Sequence, residues 1–319
     1  MKRLPTSLLA ATLALACALP HAVAPAGAQE RSGPLREALQ RGQRGSGLRD
    51  RISGRGEQVQ TLPMPPGTRV VRDVAYGPHA KQRLDVYAPP AARGAPVLVM
   101  VHGGGWAMGD KSSDRVVDNK VAHWVPRGWI VVSVNNRLLP EAAPMQQARD
   151  VAAATAQVQR LAATWGGDRA RVVLMGHSAG AHLVALVGAD PAFLHQAGAR
   201  MVRGVVALDS AAMDAVATAA DPPLPRIYAN AFGDDPEQIR AVSPLHRLRR
   251  GAAPMQLVCS SLRRQVCAQA REFARAAAAV GTRVEVLPQP LSHGAINHAL
   301  GLPSDYTRAV DAFLQGVVR

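Results

Sequence analysis

Cysteine, lysine and aromatic residues are all scarce in this chain of 319 residues. Its three cysteines lack zinc-type spacing, and no His-Glu-x-x-His pattern is present, so no set of metal ligands can be recognised. No glycine pattern typical of a dinucleotide fold or a phosphate loop follows a predicted strand. We therefore expect neither a metal nor a cofactor.

Positive charge comes almost wholly from arginine, because lysine occurs only at Lys2, Lys81, Lys111 and Lys120. The net charge of +14 would attract anionic partners, but aromatic residues make up only 4% of the chain. Without aromatic side chains between the basic ones, base stacking has little to work with. We expect a solvated basic surface and no nucleic-acid partner.

The N-terminal residues have the pattern of a secretion signal. Lys2 and Arg3 precede a short apolar run, and small residues close it at Ala28, so residues 1–28 are predicted to be removed. The alternative is a lipoprotein attached through Cys17. The apolar run is too short to span a bilayer, so we expect a periplasmic or secreted protein with no transmembrane segment after cleavage.

The predicted mature chain begins with a basic tail rich in Gly, Arg and Pro over residues 29–66, which we expect to be mobile. Only Cys259 and Cys267 remain after signal removal. In an oxidising compartment they could form a disulfide, and the alternative is two free thiols.

Residues 67–319 are predicted to form an α/β domain. Continuous apolar runs, such as residues 96–101 and 129–134, are typical of strands covered on both faces, and helical patterns separate them. This alternation indicates a mostly parallel central sheet with helices on both faces. Between about 211 and 248 prolines break the pattern, and a small cap or insertion is predicted there.

Two glycine-rich stretches carry the functional hypothesis. Gly176-His177-Ser178-Ala179-Gly180 stands between an apolar strand pattern and a helical pattern, which is the setting of a nucleophile elbow. His102-Gly103-Gly104-Gly105-Trp106 follows another strand, and its amides could converge on the negative charge of a tetrahedral intermediate. The alternatives are a chance Gly-x-Ser-x-Gly and an ordinary glycine turn.

These residues, with Gly109-Asp110-Lys111 and His293, resemble α/β-hydrolase esterases with a His-Gly-Gly-Gly-Trp loop. That group includes hormone-sensitive-lipase-like, feruloyl-esterase-like and kynurenine formamidase-like enzymes. The resemblance implies an α/β-hydrolase fold with Ser178 as nucleophile and His293 as general base. It also implies an oxyanion hole formed by the amides of Gly104, Gly105 and Ala179.

The acid of the triad is harder to place. The resemblance predicts a carboxylate after the strand at residues 255–259, but residues 260–266 contain none. Asp209, at the end of the preceding predicted strand, is the preferred substitute. Asp214 is a second choice, and Gln265 is a neutral alternative.

The sequence therefore predicts a serine hydrolase that cleaves a small-molecule carboxylic ester through an acyl-enzyme. One alternative is an amide or formamide hydrolase of the arylformamidase type. Another is an impaired α/β-hydrolase that acts as a binding protein. The sequence indicates neither the natural substrate nor the oligomeric state.

Overall fold

The computed structural model describes residues 60–221 and 225–319. The predicted signal peptide and most of the predicted tail lie outside these residues. Gln60 and Leu62, at the end of that tail, are held by hydrogen bonds to the side chain of Asn119. Within the described part of the chain, no helix combines the length and apolar character that a membrane span requires.

An eight-stranded sheet runs through the domain in the order β1-β2-β4-β3-β5-β6-β7-β8. Its strands are β1 (Arg69–Ala75), β2 (Arg83–Ala88), β3 (Ala95–Val101), β4 (Ile130–Val134), β5 (Gly167–His177), β6 (Gly204–Leu208), β7 (Met255–Ser260) and β8 (Val284–Gln289). Strand β2 is antiparallel to β1 and β4, and the remaining pairs are parallel. The predicted mostly parallel sheet is confirmed.

Helices cover both faces of the sheet. Successive side chains of a strand point to opposite faces, so a strand that is apolar throughout contributes to a core on each side. In β3, Val97 and Val99 belong to one buried apolar cluster, and Leu98 and Met100 belong to the other. The longer helices are α1 (Asp114–Trp124), α2 (Pro144–Leu161), α3 (Ala179–Ala189), α9 (Arg264–Ala279) and α11 (Asp305–Val318). Helices α2, α3 and α9 pack on the first face, and α1 and α11 pack on the second. The prediction of helices on both faces is also confirmed.

Shorter helices occupy the connections. They are α4 (Ala192–Gln196), α5 (Ala215–Ala220), α6 (Arg226–Phe232), α7 (Pro236–Ala241), α8 (Pro244–Arg247) and α10 (His293–His298), with 3₁₀ turns at Val125–Arg127 and Ala162–Trp165. Helices α5 to α8 fall in the segment where the sequence predicts a cap or insertion.

A disulfide joins Cys259 at the end of β7 to Cys267 in the first turns of α9. It closes the loop after β7, in which the resemblance predicts the acid of the triad. The loop is thereby tied to the sheet at one end and to a helix at the other.

Candidate active site

Ser178 lies at the sharp turn between β5 and α3. Its backbone is in a strained region (φ 56°), and its amide donates to the carbonyl of Leu208 on the neighbouring strand at 2.9 Å. A Cβ at Gly180 would lie 2.3 Å from the carbonyl oxygen of Val101, and one at Gly176 would lie 2.3 Å from the carbonyl oxygen of Gly180. Glycine is therefore required at position 180 for the turn to pack against β3, and at position 176 for β5 to approach the first turn of α3.

His293 and Asp209 lie beside this serine. His293, the first residue of α10, places its Nε2 atom 3.0 Å from Ser178 Oγ and its Nδ1 atom 2.6 Å from Asp209 Oδ2. An Nδ1–H that donates to the carboxylate leaves the Nε2 lone pair free to accept from the serine hydroxyl. The three side chains form one hydrogen-bonded chain, although 115 positions of sequence separate Ser178 from His293.

Asp209 is fully buried at the carboxyl end of β6, next to the end of β5. Its other oxygen accepts the amide of Ser260 at 2.7 Å. The two alternative partners lie elsewhere: Asp214 accepts the amide of Ala217 as the N-cap of α5, and Gln265 donates to Asp221. Of the three acids or acceptors considered from the sequence, only Asp209 contacts His293 in the described chain.

Asp209 is ionised over the whole physiological range. Burial raises the pKa of its carboxyl, but the hydrogen bond from His293, the charges of Arg263 and His293, and the amide of Ser260 outweigh burial. Together they lower the pKa of Asp209 to about 2.

Arg263 is a site residue that the sequence did not indicate. Its Nη1 atom lies 2.5 Å from Asp209 Oδ2 and 2.9 Å from His293 Nδ1. A guanidinium has no acceptor. Arg263 Nη1 and His293 Nδ1 therefore both donate to Asp209 Oδ2, and they do not bond to each other. Arg263 occupies the loop in which the resemblance predicts the acid.

His177 packs against the ring of His293. The two ring centroids are 4.5 Å apart, and His177 Nε2 donates to the backbone carbonyl of His293 at 2.9 Å. Burial lowers the pKa of His177 well below its usual value. A neutral ring at this position does not repel positive charge that develops on His293.

The glycine loop packs directly against the elbow. Gly105 and Ala179 line one cavity together with Ser178, and among the described residues neither of their amides has a hydrogen-bond acceptor. Gly104 has φ 124°, and its carbonyl accepts the amides of Ala107 and Met108, which closes the turn. Gly104 is not part of the cavity wall.

Trp106 joins the glycine loop to the segment between β6 and β7. Its indole nitrogen donates to His182 Nδ1 at 3.2 Å, and His182 Nε2 donates to the carbonyl of Val242 at 2.7 Å. The indole ring also packs edge-on against Phe232 and Tyr228. Burial lowers the pKa of His182 to about 4, so the ring is neutral and can accept from Trp106.

Lys111 anchors the chain after the glycine loop. Its Nζ atom forms ion pairs with Asp85 and Asp73, at 2.7 and 2.9 Å, and its amide donates to Asn135. Asn135 also donates to Asp110 at 2.8 Å. The Gly-Asp-Lys sequence thus ties the glycine loop to β2 and to the end of β4.

A cavity of about 180 Å³ opens above Ser178. Its wall includes Gly105, Trp106, Asp209, Ile227, Tyr228 and Arg263. Among residues 60–221 and 225–319, no group of three or more His, Cys, Asp or Glu side chains is placed to hold a metal ion.

Relatives with described activities match part of the chain. An isoprenylcysteine alpha-carbonyl methylesterase of Arabidopsis thaliana is 34% identical over 118 residues, which is 37% of this chain and 27% of the relative. The esterase LipQ of Mycobacterium tuberculosis is 36% identical over 127 residues, or 38% of this chain and 30% of the relative. The chain thus matches less than a third of the length of either relative.

Solved structures share the fold over most of the chain. A truncated carbohydrate esterase from gut microbiota superposes with a TM-score of 0.67 and 18% identity, covering 81% of this chain and 99% of that one. Esterase B from Lactobacillus rhamnosis gives a TM-score of 0.63 at 19% identity, covering 89% of this chain and 95% of that one. The predicted α/β-hydrolase fold is confirmed.

The BD-FAE family model matches residues 84–262, which is more than half of the chain. The matched region contains the glycine loop, the elbow and Asp209. It ends one residue before Arg263. On this match, the chain belongs to the BD-FAE family, a hormone-sensitive-lipase-like esterase domain.

Proposed function

We propose that this protein hydrolyses carboxylic esters of small molecules through an acyl-enzyme on Ser178. The observation that carries the proposal is the hydrogen-bonded chain from Ser178 through His293 to Asp209 at the cavity wall. The named activities of the relatives, a methylesterase and an esterase, support an ester as the substrate.

In the first half of the reaction, the Ser178 hydroxyl attacks the ester carbonyl as His293 Nε2 takes its proton. Asp209 stabilises the imidazolium that forms. His293 then gives the proton to the departing alcohol, which leaves the acyl group on Ser178. Water repeats the cycle, with His293 as base, and releases the acid.

The amides of Gly105 and Ala179, with that of Gly104, are proposed to hold the oxyanion of each tetrahedral intermediate. Their support is that Gly105 and Ala179 line the cavity beside Ser178 and have no other acceptor among the described residues. Loss of one such donor costs about 3–4 kcal/mol of transition-state stabilisation.

A fluorophosphonate probe tests the nucleophile. We expect it to label the wild type and Ser261→Ala, an exposed serine outside the cavity, but not Ser178→Ala. Equal labelling of Ser178→Ala would contradict the proposal. Comparing 4-nitrophenyl acetate with N-formyl aryl amines under identical conditions then separates ester from formamide hydrolysis.

The predicted signal peptide also leads us to propose a periplasmic or secreted location. Fractionation of cells that express the full-length chain, with mass spectrometry of the mature N-terminus, tests this. We expect the mature chain outside the cytoplasm to begin at Gln29.

A further inference from the structure

Arg263 brings a permanent positive charge to the catalytic cavity. Its Nη1 atom is 2.5 Å from Asp209 Oδ2, while 21% of the side chain remains exposed. Its Nη1 atom donates to Asp209, and the guanidinium also forms a side-chain hydrogen bond with the phenol of Tyr228. A guanidinium has five N–H donors in a planar fork, so donors remain for a further acceptor beyond Asp209 and Tyr228.

The same arginine lines two cavities. The catalytic cavity of about 180 Å³ shares Ala211, Tyr228 and Arg263 with an adjoining cavity of about 470 Å³. The larger cavity adds a second cation, Arg264, and a carboxylate, Asp221, that already accepts a hydrogen bond from Gln265. A substrate that extends from Ser178 toward the larger cavity runs along a border that includes the guanidinium of Arg263.

The charge of the catalytic group differs from that of an Asp-His pair alone. Without an arginine, the pair carries one negative charge at rest and becomes neutral when the histidine is protonated. With Arg263 paired to Asp209, the group is neutral at rest and carries one positive charge during the reaction. Burial raises the pKa of Tyr228, so its phenol remains neutral and does not offset this charge.

We infer that Arg263 is a specificity-determining residue whose guanidinium receives a carboxylate that the substrate carries in addition to its scissile ester. The inference rests on the proposed ester hydrolysis and deepens it. The substrate class is an ester with a free carboxylate on its acyl or alcohol part, such as a half-ester of a dicarboxylic acid. Hydrolysis adds one water across the scissile ester bond and yields an alcohol and an acid, one of which keeps the free carboxylate unchanged.

Two pairs of esters test the inference. The first compares mono-4-nitrophenyl glutarate with 4-nitrophenyl pentanoate, which has the same acyl length without the charge. The second compares 3-acetoxybenzoate with 3-methylphenyl acetate and places the charge on the alcohol part. For each pair, the ratio of kcat/KM for the charged ester to that for the neutral ester is measured in wild type and variants, so that intrinsic reactivity cancels.

In at least one pair, we expect Arg263→Gln to lower this ratio by about tenfold or more, mainly through KM, because a charge-assisted hydrogen bond is lost. Arg263→Lys should give an intermediate ratio, because it keeps the charge and loses the planar fork. Arg308→Gln, an exposed arginine on α11, removes the same net charge and should leave the ratio unchanged. Added salt should reduce the wild-type ratio.

A role for Arg263 that is only structural would lower kcat for both esters and leave the ratio unchanged. That result in both pairs overturns the inference and leaves ester hydrolysis standing. If the wild type hydrolyses none of the four esters, the proposed function fails, and the inference fails with it.

Inhibition of the wild type provides a second measurement, which holds even if Arg263→Gln does not fold. Glutarate should inhibit hydrolysis of 4-nitrophenyl pentanoate competitively, at concentrations where the neutral glutaramide does not. Equal inhibition by the two compounds, or none by either, would contradict the inference.

Discussion

Ser178 and Asp209 each have a left-handed backbone at the carboxyl end of neighbouring strands, with φ of 56° and 55°. Such conformations cost about 1–3 kcal/mol per non-glycine residue. Both amides donate to the next strand, Ser178 to Leu208 and Asp209 to Val258. The sheet therefore fixes the two backbones, and each side chain is turned toward His293 without a flexible loop between strand and site.

Replacing Asp209 by asparagine tests its role at the site. Asp209→Asn keeps the side-chain shape but removes the charge that orients His293 and stabilises its protonated form, and we expect kcat to fall by as much as about 10⁴-fold. Asp214→Asn, which keeps the N-cap of α5, should retain near-wild-type kcat. Steady-state kinetics with 4-nitrophenyl acetate measure both, and unchanged turnover in Asp209→Asn would exclude it as the triad acid.

Sequence reasoning reached Ser178 and His293 through local patterns, a strand followed by a sharp turn and a residue just beyond the last strand. It favoured Asp209 because this residue ends the preceding predicted strand and lies between Ser178 and His293 in the chain. Arg263 could not be predicted as a contact, because what brings it to Asp209 is the parallel pairing of β6 with β7. An arginine in the loop expected to hold the acid was the available signal.

Helix α3 begins in close contact with the sheet. Gly180, in its first turn, stands against the backbone of Val101 and His102 at the end of β3. This contact lets the elbow and the glycine loop approach one another. The atoms that face Gly180 belong to the backbone. A larger residue at this position therefore cannot gain space by displacing a flexible side chain.

Gly180→Ala should therefore disrupt the elbow. A Cβ there would meet backbone atoms at 2.3–2.8 Å, and we expect a loss of several kcal/mol of unfolding free energy together with loss of fluorophosphonate labelling. Gly316→Ala, in α11, meets nothing within 4 Å and should instead stabilise the protein by about 0.5–1 kcal/mol. Urea denaturation measures both, and a Gly180→Ala variant as stable as the wild type would show that the elbow relaxes.

The long elements were predicted because each buries a continuous or periodic set of apolar side chains. The short helices α5 to α8 were not, because contacts distant in sequence hold them. Trp106, His182 and Val242 form one such link. These hydrogen bonds join residues that are far apart in the chain, so the local sequence pattern could not predict the short helices.

At the scale of the whole molecule, several titratable groups in the described chain are buried without forming an ion pair. Burial lowers the pKa of His182 and of His298 to about 4, and that of Lys120 to about 7. Lys120 is only 1% exposed and donates to the carbonyl of Asn297. For each of these groups the folded state binds a proton less readily than the unfolded chain does.

Unfolding free energy should fall as pH decreases from about 6.5 toward 4. In this range His182 and His298 bind protons in the unfolded chain but stay neutral in the folded protein. Unfolding free energy should also rise from about pH 7 to 10, where only the unfolded chain still protonates Lys120. Urea denaturation at pH 5, 7 and 9 should therefore give increasing stability.

The variant Lys120→Met should flatten the rise between pH 7 and 10, whereas Lys81→Met, at an exposed lysine, should keep it. If the unfolding free energy of Lys120→Met rises as steeply as that of the wild type, a group other than Lys120 causes the rise.

The outer strands bear on how copies of this protein meet one another. Strand β1 pairs on one side only within the described chain, and it carries exposed Arg69 and Arg72 and an irregularity between Val71 and Val74. At the opposite margin, β8 contains Pro288, which has no amide hydrogen to offer. Charge, the irregular register and proline each discourage a foreign strand from extending the sheet, so we expect little edge-to-edge aggregation even in concentrated solution.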